Sequence, residues 1–152
     1  MELLRGCGNY DPVFITGYLI YNLEKRPGGG EISFTDVTDG QWYTEAVTWA
    51  ANNGIVSGYG NDTFGPNDAV TREQLAVILY RYAQYKGYNT TISQDLSVFA
   101  DGNSASGWAV EALEWAVSQG VMAGKGGNIL DPIGTATRAE VAQMFFNYLT
   151  SL

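Results

Sequence analysis

Apolar residues recur at helical spacing in this chain, and the pattern occurs twice. Ala46 and Val47 each lie three or four positions from Ala50, which puts all three on one face of a helix expected from about Trp42 to Asn53. Ala112, Leu113 and Ala116 do the same in a helix expected from about Trp108 to Gln119. Gly54 and Gly120 follow the last turns, where a left-handed cap favours glycine. Short apolar pairs, Ile55-Val56 and Val121-Met122, come next and are expected to tuck beneath loops rich in turn residues, GYGNDTFGPND and GKGGNILDPIG. Phe64 and Leu130 are the matching apolar anchors of the two loops. A second helix then carries the buried stripe Leu75, Ile78, Leu79 and Tyr82, or Val141, Met144, Phe145 and Tyr148.

The two halves superpose without gaps at an offset of 66 positions, Trp42–Gln84 on Trp108–Thr150. Identities include Trp42/Trp108, Glu45/Glu111, Trp49/Trp115, Gly58/Gly124, Pro66/Pro132, Thr71/Thr137 and Arg72/Arg138. Upstream, Phe34-Thr35-Asp36 matches Phe99-Ala100-Asp101 with a one-residue shift. Leu19-Ile20-Tyr21-Asn22-Leu23 matches Ile78–Tyr82 and Phe145–Leu149, as the end of a third repeat whose beginning is missing. In that remnant the counterpart of Thr71-Arg72 is Pro12-Val13, so the motif is lost.

The second helix of each repeat opens on a capping box. Thr71 with Gln74, and Thr137 with Glu140, place a hydroxyl and an amide or carboxylate three positions apart, each able to satisfy the other residue's backbone N–H. That accounts for four residues but not for Arg72 and Arg138. A cation in the first turn opposes the helix macrodipole at a cost of roughly 0.3–1 kcal/mol when exposed, so both arginines call for a compensating partner.

Composition narrows the chemistry. The chain has 152 residues, 45% hydrophobic and 13% aromatic, which suits a packed core rather than a disordered segment. With 8 Lys and Arg against 16 Asp and Glu, the net charge is −8, a poor match to nucleic acid or an anionic membrane surface. Histidine is absent, which removes the commonest general base and metal ligand. Cys7, the single cysteine, reads as a stray thiol. No cofactor or metal is expected; Asn61, Asp62, Asn67 and Asp68 lack EF-hand spacing and read as turn residues. The most apolar stretch, VFITGYLIYNL, is too short to insert across a bilayer. The opening residues lack signal-peptide features, and the chain is expected to be the C-terminal part of a longer secreted protein.

FTDV followed by WYTEAVTWAANNGIVSGYGNDTFGPNDAVTREQLAVILYRY resembles an S-layer homology repeat, and FAD followed by WAVEALEWAVSQGVMAGKGGNILDPIGTATRAEVAQMFFNYL resembles another. The implied fold is all-α: tandem helix–loop–helix repeats in an incomplete pseudo-threefold bundle, divided as a remnant over 1–30 and repeats over 31–90 and 91–152. The implied function is a non-catalytic module that binds a peptidoglycan-linked secondary cell-wall polysaccharide, often pyruvylated, outside a bacterial cell. In this family the arginine of the Thr-Arg motif touches ligand in grooves between repeats, a role that falls here on Arg72 and Arg138. The residue chemistry agrees, because helix-start N–H groups beside a guanidinium fork suit a carboxylate. Trp42 and Trp108 are the expected sugar-stacking faces, Gly58 and Gly124 the points of close backbone approach, and Asp36 and Asp101 either turn-holding or polar ligand contacts.

Three other readings compete. A helical-repeat module could bind protein, and the truncated first repeat could leave a binding-impaired fragment of a larger S-layer protein or exoenzyme. A glycan hydrolase would need paired carboxylates in a cleft, whereas Glu45 and Glu111 fall on the polar side of short helices. The missing half-repeat also leads to the expectation of self-association.

Overall fold

The computed structural model describes the backbone of residues 12–151 and the side chains of 16–151; Cys7 lies outside them, as does the Pro12-Val13 side-chain pair. Among the described residues the chain is all-α. Its helices are α1 (Pro12–Leu23), α2 (Thr44–Asn52), α3 (Arg72–Lys86), α4 (Val110–Ser118) and α5 (Arg138–Thr150), with 3-10 turns at Leu96–Val98 and Gly102–Ser104. No helix among them is long and apolar enough to cross a membrane.

The short helices α2 and α4 begin two residues later than the sequence pattern suggests. Tyr43 and Ala109 hold the cap positions with no side-chain cap. The preceding turns close instead through Thr44 N–H to Gln41 O (3.1 Å) and Ala109 N–H to Ser106 O (2.8 Å). Trp42 and Trp108 therefore stand in entry turns, off the helices. The far end of α2 follows expectation. Gly54 has φ +71°, and the hydrogen bonds Gly54 N–H to Ala51 O (3.0 Å) and Ile55 N–H to Ala50 O (2.8 Å) form a Schellman cap. Ile55 is thereby turned inward and fully buried.

Both long helices start on the expected capping boxes. Gln74 N–H donates to Thr71 Oγ1 (3.2 Å) while Gln74 Oε1 accepts from Thr71 N–H (2.9 Å). Glu140 N–H donates to Thr137 Oγ1 (3.2 Å), and Glu140 Oε2 accepts from Thr137 N–H (2.8 Å).

The chain forms two compact units, Met1–Ala69 and Val70–Leu152, and these are out of phase with the sequence repeats. The reason is which helices pair: α1 packs on α2 and α3 on α4, so the long helix of one repeat seats the short helix of the next. In the first unit Tyr21 lies against Trp49 (6.3 Å between centroids) and its hydroxyl donates to Glu45 (2.7 Å). In the second, Tyr80 lies against Trp115 (5.4 Å) and donates to Glu111 (2.9 Å). Burial, then the bond to Glu45 and its charge, push the Tyr21 hydroxyl up to about 12, so it remains a donor. The helix α1 thus plays toward α2 the part that α3 plays toward α4. In the second unit α5 turns Val141, Met144, Phe145 and Tyr148 inward, with Tyr148 against Trp115 (6.3 Å) and Tyr82 (5.9 Å).

Candidate functional site

One loop is built twice. In the first unit Thr35 N–H donates to Asp62 O (2.8 Å), and Tyr59 N–H to Thr63 O (2.9 Å) closes a tight turn. Asn61 (φ +43°) and Asp62 (φ +58°) occupy the left-handed positions of that turn. In the second unit Ala100 N–H donates to Asn128 O (2.8 Å) and Lys125 N–H to Ile129 O (2.8 Å). There Gly127 and Asn128, both at φ +58°, take the left-handed positions.

The repeated aspartates hold these loops. Asp36 accepts from the N–H groups of Phe64 and Gly65 (2.8 Å each). Asp101 accepts from Leu130 N–H (2.8 Å) and Asp131 N–H (2.7 Å). Each carboxylate uses both oxygens on backbone, so the structure favours the turn-holding alternative over polymer contact. Burial opposes the charge of Asp36, yet its backbone donors outweigh burial and hold the carboxyl below its usual range. For Asp101 the Leu130 N–H is the leading cause of the same lowering, working against burial.

The repeated loop glycines also serve packing. A Cβ on Gly58 would collide with Thr63 O and come within 2.8 Å of the Phe34 ring. On Gly124 it would lie 2.8 Å from Ile129 O and 3.0 Å from the Phe99 ring. At both positions the protein's own loop carbonyl and aromatic ring make a close approach that a Cβ would obstruct.

Arg72 differs most from expectation. It is only 3% exposed. Its Nε–H donates to Leu130 O (2.9 Å), Nη2–H to Ala123 O (2.8 Å) and Nη1–H to Glu140 Oε1 (2.8 Å). The first N–H groups of α3 are equally committed: Arg72 N–H to Gly134 O (2.9 Å), Glu73 N–H to Pro132 O (2.8 Å), and Gln74 N–H to Thr71 Oγ1 (3.2 Å). The expected anion pocket at this helix start is therefore filled by the chain itself. The guanidinium staples the 123–130 loop and the cap of α5 to the start of α3. That is the compensation the unfavourable dipole placement called for.

Glu140 joins two functions, since it caps α5 through Oε2 and binds Arg72 through Oε1. Lys125 adds a second cation 3.4 Å from Glu140 and pairs with Asp131 at 2.7 Å. Burial would raise the Glu140 pKa, but the Thr137 donors, then Arg72 and Lys125, overcome it and bring it down to about 2. Glu73, next to Arg72 in the first turn of α3, is buried and accepts from both the N–H (2.9 Å) and hydroxyl (2.8 Å) of Ser106. This pairing fixes the turn that carries Trp108.

Arg138, Trp42 and Trp108 remain at the surface. Arg138 is exposed at the first position of α5. Trp42 meets Tyr18 (5.4 Å) and Tyr43 (5.6 Å) edge-on, leaving part of its ring outward. Trp108 is 61% exposed.

The sequence profile of the S-layer homology domain matches residues 33–76 and 98–142, the two loop-and-cap units just described. The chain belongs to the S-layer homology family. Domains of this family are non-catalytic modules that anchor S-layer proteins and exoenzymes at the cell wall. The chain is 34% identical over 134 residues to an amylopullulanase of Thermoanaerobacterium thermosulfurigenes, matching 86% of the chain and 7% of the enzyme. It is 35% identical over 146 residues to the surface-layer 125 kDa protein of Lysinibacillus sphaericus, 91% of the chain and 12% of that protein. It is 27% identical over 110 residues to a cellulosome-anchoring protein of Acetivibrio thermocellus, 72% of the chain and 24% of the relative. The chain thus spans a small part of each relative's length.

Acid should loosen the S-layer homology loops. Asp36, Asp101 and Glu140 all have folded-state pKa values below their ordinary ones. The stability they add is complete above the unfolded carboxyl range of about 4–4.5. It is lost as pH falls toward about 2, the folded value of Glu140. Thermal melts followed by circular dichroism should show a near-constant midpoint from pH 7 to about 5 and a steady fall below it. The fall should be shallower in Glu140→Gln, which starts from a lower midpoint.

Proposed function

We propose that this chain holds a passenger protein on the outside of a bacterial cell wall by binding a peptidoglycan-linked secondary polysaccharide bearing pyruvate ketals. Arg138 is the contact for the ketal carboxylate, and Trp108 and Trp42 are stacking faces for sugar rings. Arg72 acts indirectly: it fixes the 123–130 loop and the cap of α5 that presents Arg138, so its loss weakens binding by disordering the site. Asp36, Asp101, Gly58 and Gly124 build the loops in the same indirect sense. The observation that carries this reading is the exposure of Arg138 and Trp108 on repeats of a wall-anchoring family. Guanidinium recognition of a carboxylate is charge-assisted and bidentate, and sugar faces stack on exposed indoles.

Calorimetric titration with polymer released from wall preparations tests the assignment. Arg138→Ala and Trp108→Ala should each weaken binding about tenfold, on the order of 1.4 kcal/mol, while leaving the thermal midpoint unchanged. Polymer from which the ketal has been removed by mild acid should bind wild type and Arg138→Ala alike. Full affinity for the ketal-free polymer would remove the carboxylate from the account.

A further inference from the structure

Three peptide bonds in the sequence join an Asn or Asp to a following glycine: Asp39-Gly40, Asn53-Gly54 and Asp101-Gly102. Such bonds rearrange when the glycine nitrogen, unhindered by a side chain of its own, attacks the preceding side-chain carbonyl carbon. In an unfolded chain the Asn-Gly bond reacts first, since ammonia leaves an amide more easily than hydroxide leaves a carboxyl group. The fold reverses that order. At Asn53 the attacking nitrogen is engaged, because Gly54 N–H donates to Ala51 O (3.0 Å) within the Schellman cap of α2. The Asn53 amide is tied back as well, its Nδ2 donating to Trp49 O (2.8 Å). At Asp101 both carboxylate oxygens accept from Leu130 and Asp131 N–H, and Gly102 is buried with its own N–H on Phe99 O (3.2 Å). Asp39 and Gly40 are both exposed, and Gly40 N–H donates to Asp39 Oδ1 at 2.8 Å. That bond folds the carboxyl group over its own peptide and sets Cγ beside the nitrogen that attacks it. A Cβ on Gly40 would meet nothing within 4 Å, so the turn has room for a ring to close.

We propose that Asp39-Gly40 is a site of spontaneous isomerisation to isoaspartate, and that the change resets the entry turn carrying Trp42. The Gly40 nitrogen bonds to Asp39 Cγ, and its proton leaves with the carboxyl hydroxyl as water, closing a five-membered succinimide. Water then adds to the ring carbonyl that was the Asp39 main-chain carbonyl. Breaking that carbon's bond to the Gly40 nitrogen leaves the chain running through Cβ and Cγ. One water leaves and one enters, so the mass is unchanged and no co-reactant is required. The main chain gains one methylene, a link of about 1.5 Å, and the former main-chain carbonyl becomes a free carboxylate. The added link falls inside a closed span. Thr44 Oγ1 accepts from Gln41 N–H (3.0 Å) and donates to Thr38 O (2.7 Å), so one buried hydroxyl bridges both ends of the 38–41 turn. A longer turn breaks at least one of these bonds. Trp42 is the next residue, and the turn sets its edge-on contact with Tyr18 (5.4 Å). The places three and two positions before Trp108 hold Ala105 and Ser106, which have no carboxyl group to rearrange, so the site belongs to one repeat alone. The reaction is independent of polymer binding.

The test ages the full chain for weeks at neutral pH, folded and in concentrated urea. Isoaspartate is quantified by enzymatic methylation with a protein isoaspartyl methyltransferase and located by electron-transfer fragmentation of the digested chain. In the folded chain isoaspartate should accumulate at Asp39 at least tenfold faster than rearrangement products at Asn53 or Asp101. In urea Asn53 should lead. Asp39→Glu, which needs a slower six-membered ring, should abolish the folded-state signal and leave the melting midpoint unchanged. In the nitrogen-15-labelled chain a second Trp42 indole resonance should grow in step with the isoaspartate, and aged Asp39→Glu should lack it. A folded chain that reacts first at Asn53 or Asp101, or forms no isoaspartate at Asp39, overturns the proposal. Isoaspartate at Asp39 with an unshifted Trp42 resonance overturns its coupling to the entry turn.

Discussion

Arg72→Ala should unfold the second unit far more readily than Arg138→Ala, although the two arginines hold matching places in the repeat. Removing the Arg72 side chain strands Leu130 O and Ala123 O under the loop and leaves Glu140 without its 2.8 Å partner. Breaking a buried ion pair from one side typically costs about 3–5 kcal/mol, and each unsatisfied buried acceptor about 1–3 kcal/mol. Glu140 is partly exposed and retains Lys125 and its capping donors, so the lower end applies: about 3 kcal/mol, or a midpoint fall of roughly 10 °C. Arg72→Lys should recover little, because an ammonium cannot reach two carbonyls and a carboxylate in one plane. Arg138 is exposed, and losing its surface contacts should shift stability by no more than about 1 kcal/mol. Urea melts of the three variants separate these outcomes. Equal losses for Arg72→Ala and Arg138→Ala would show that the guanidinium staple is not what holds the loop.

Trp115→Ala should be at least as damaging, and Trp108→Ala should not be. Trp115 is 2% exposed, lies against Tyr80 and Tyr148, and donates its indole N–H to Asn89 O (3.2 Å). Truncating a buried tryptophan costs about 3–5 kcal/mol, with the residual cavity included. It also frees the interface by which α3 seats α4, so amide hydrogen exchange should accelerate across both helices and not only near the substitution. Trp108 stands in the entry turn before α4, and its removal should leave that protection unchanged. A uniform loss of protection in Trp108→Ala would contradict its placement as a surface face.

What the sequence made legible, and what it did not, follows the range of each interaction. Thr71 with Gln74, and Thr137 with Glu140, are contacts over three residues, so spacing alone identifies them. Gly54 and Gly120 are legible for the same reason, because a left-handed cap is a local demand. The remnant helix could be matched to its counterparts because Leu19-Ile20-Tyr21 keeps the burial pattern of Ile78-Leu79-Tyr80. The partners of Arg72 are 51 to 68 positions away, and two of them are backbone carbonyls, which have no sequence signature. The sole clue was energetic: a cation where the helix dipole disfavours one. Asp36 and Asp101 raised the same difficulty, since donors 28 to 30 positions downstream are backbone N–H groups. Glu73 carries no repeat signature, because its counterpart Ala139 has no carboxylate. The early start expected for α2 and α4 came from reading Trp42 and Trp108 as helical, where the turns ahead of Thr44 and Val110 hold them apart.

Under the proposed function, this S-layer homology chain recognises a wall polysaccharide through exposed Arg138 and Trp108. Cosedimentation with purified wall sacculi, before and after extraction of the secondary polymer, tests it most directly. Wild type should pellet with intact sacculi and stay in solution with extracted ones, and Arg138→Ala combined with Trp108→Ala should stay in solution with both. Equal pelleting on intact and extracted sacculi, or full pelleting of the double variant, would contradict it.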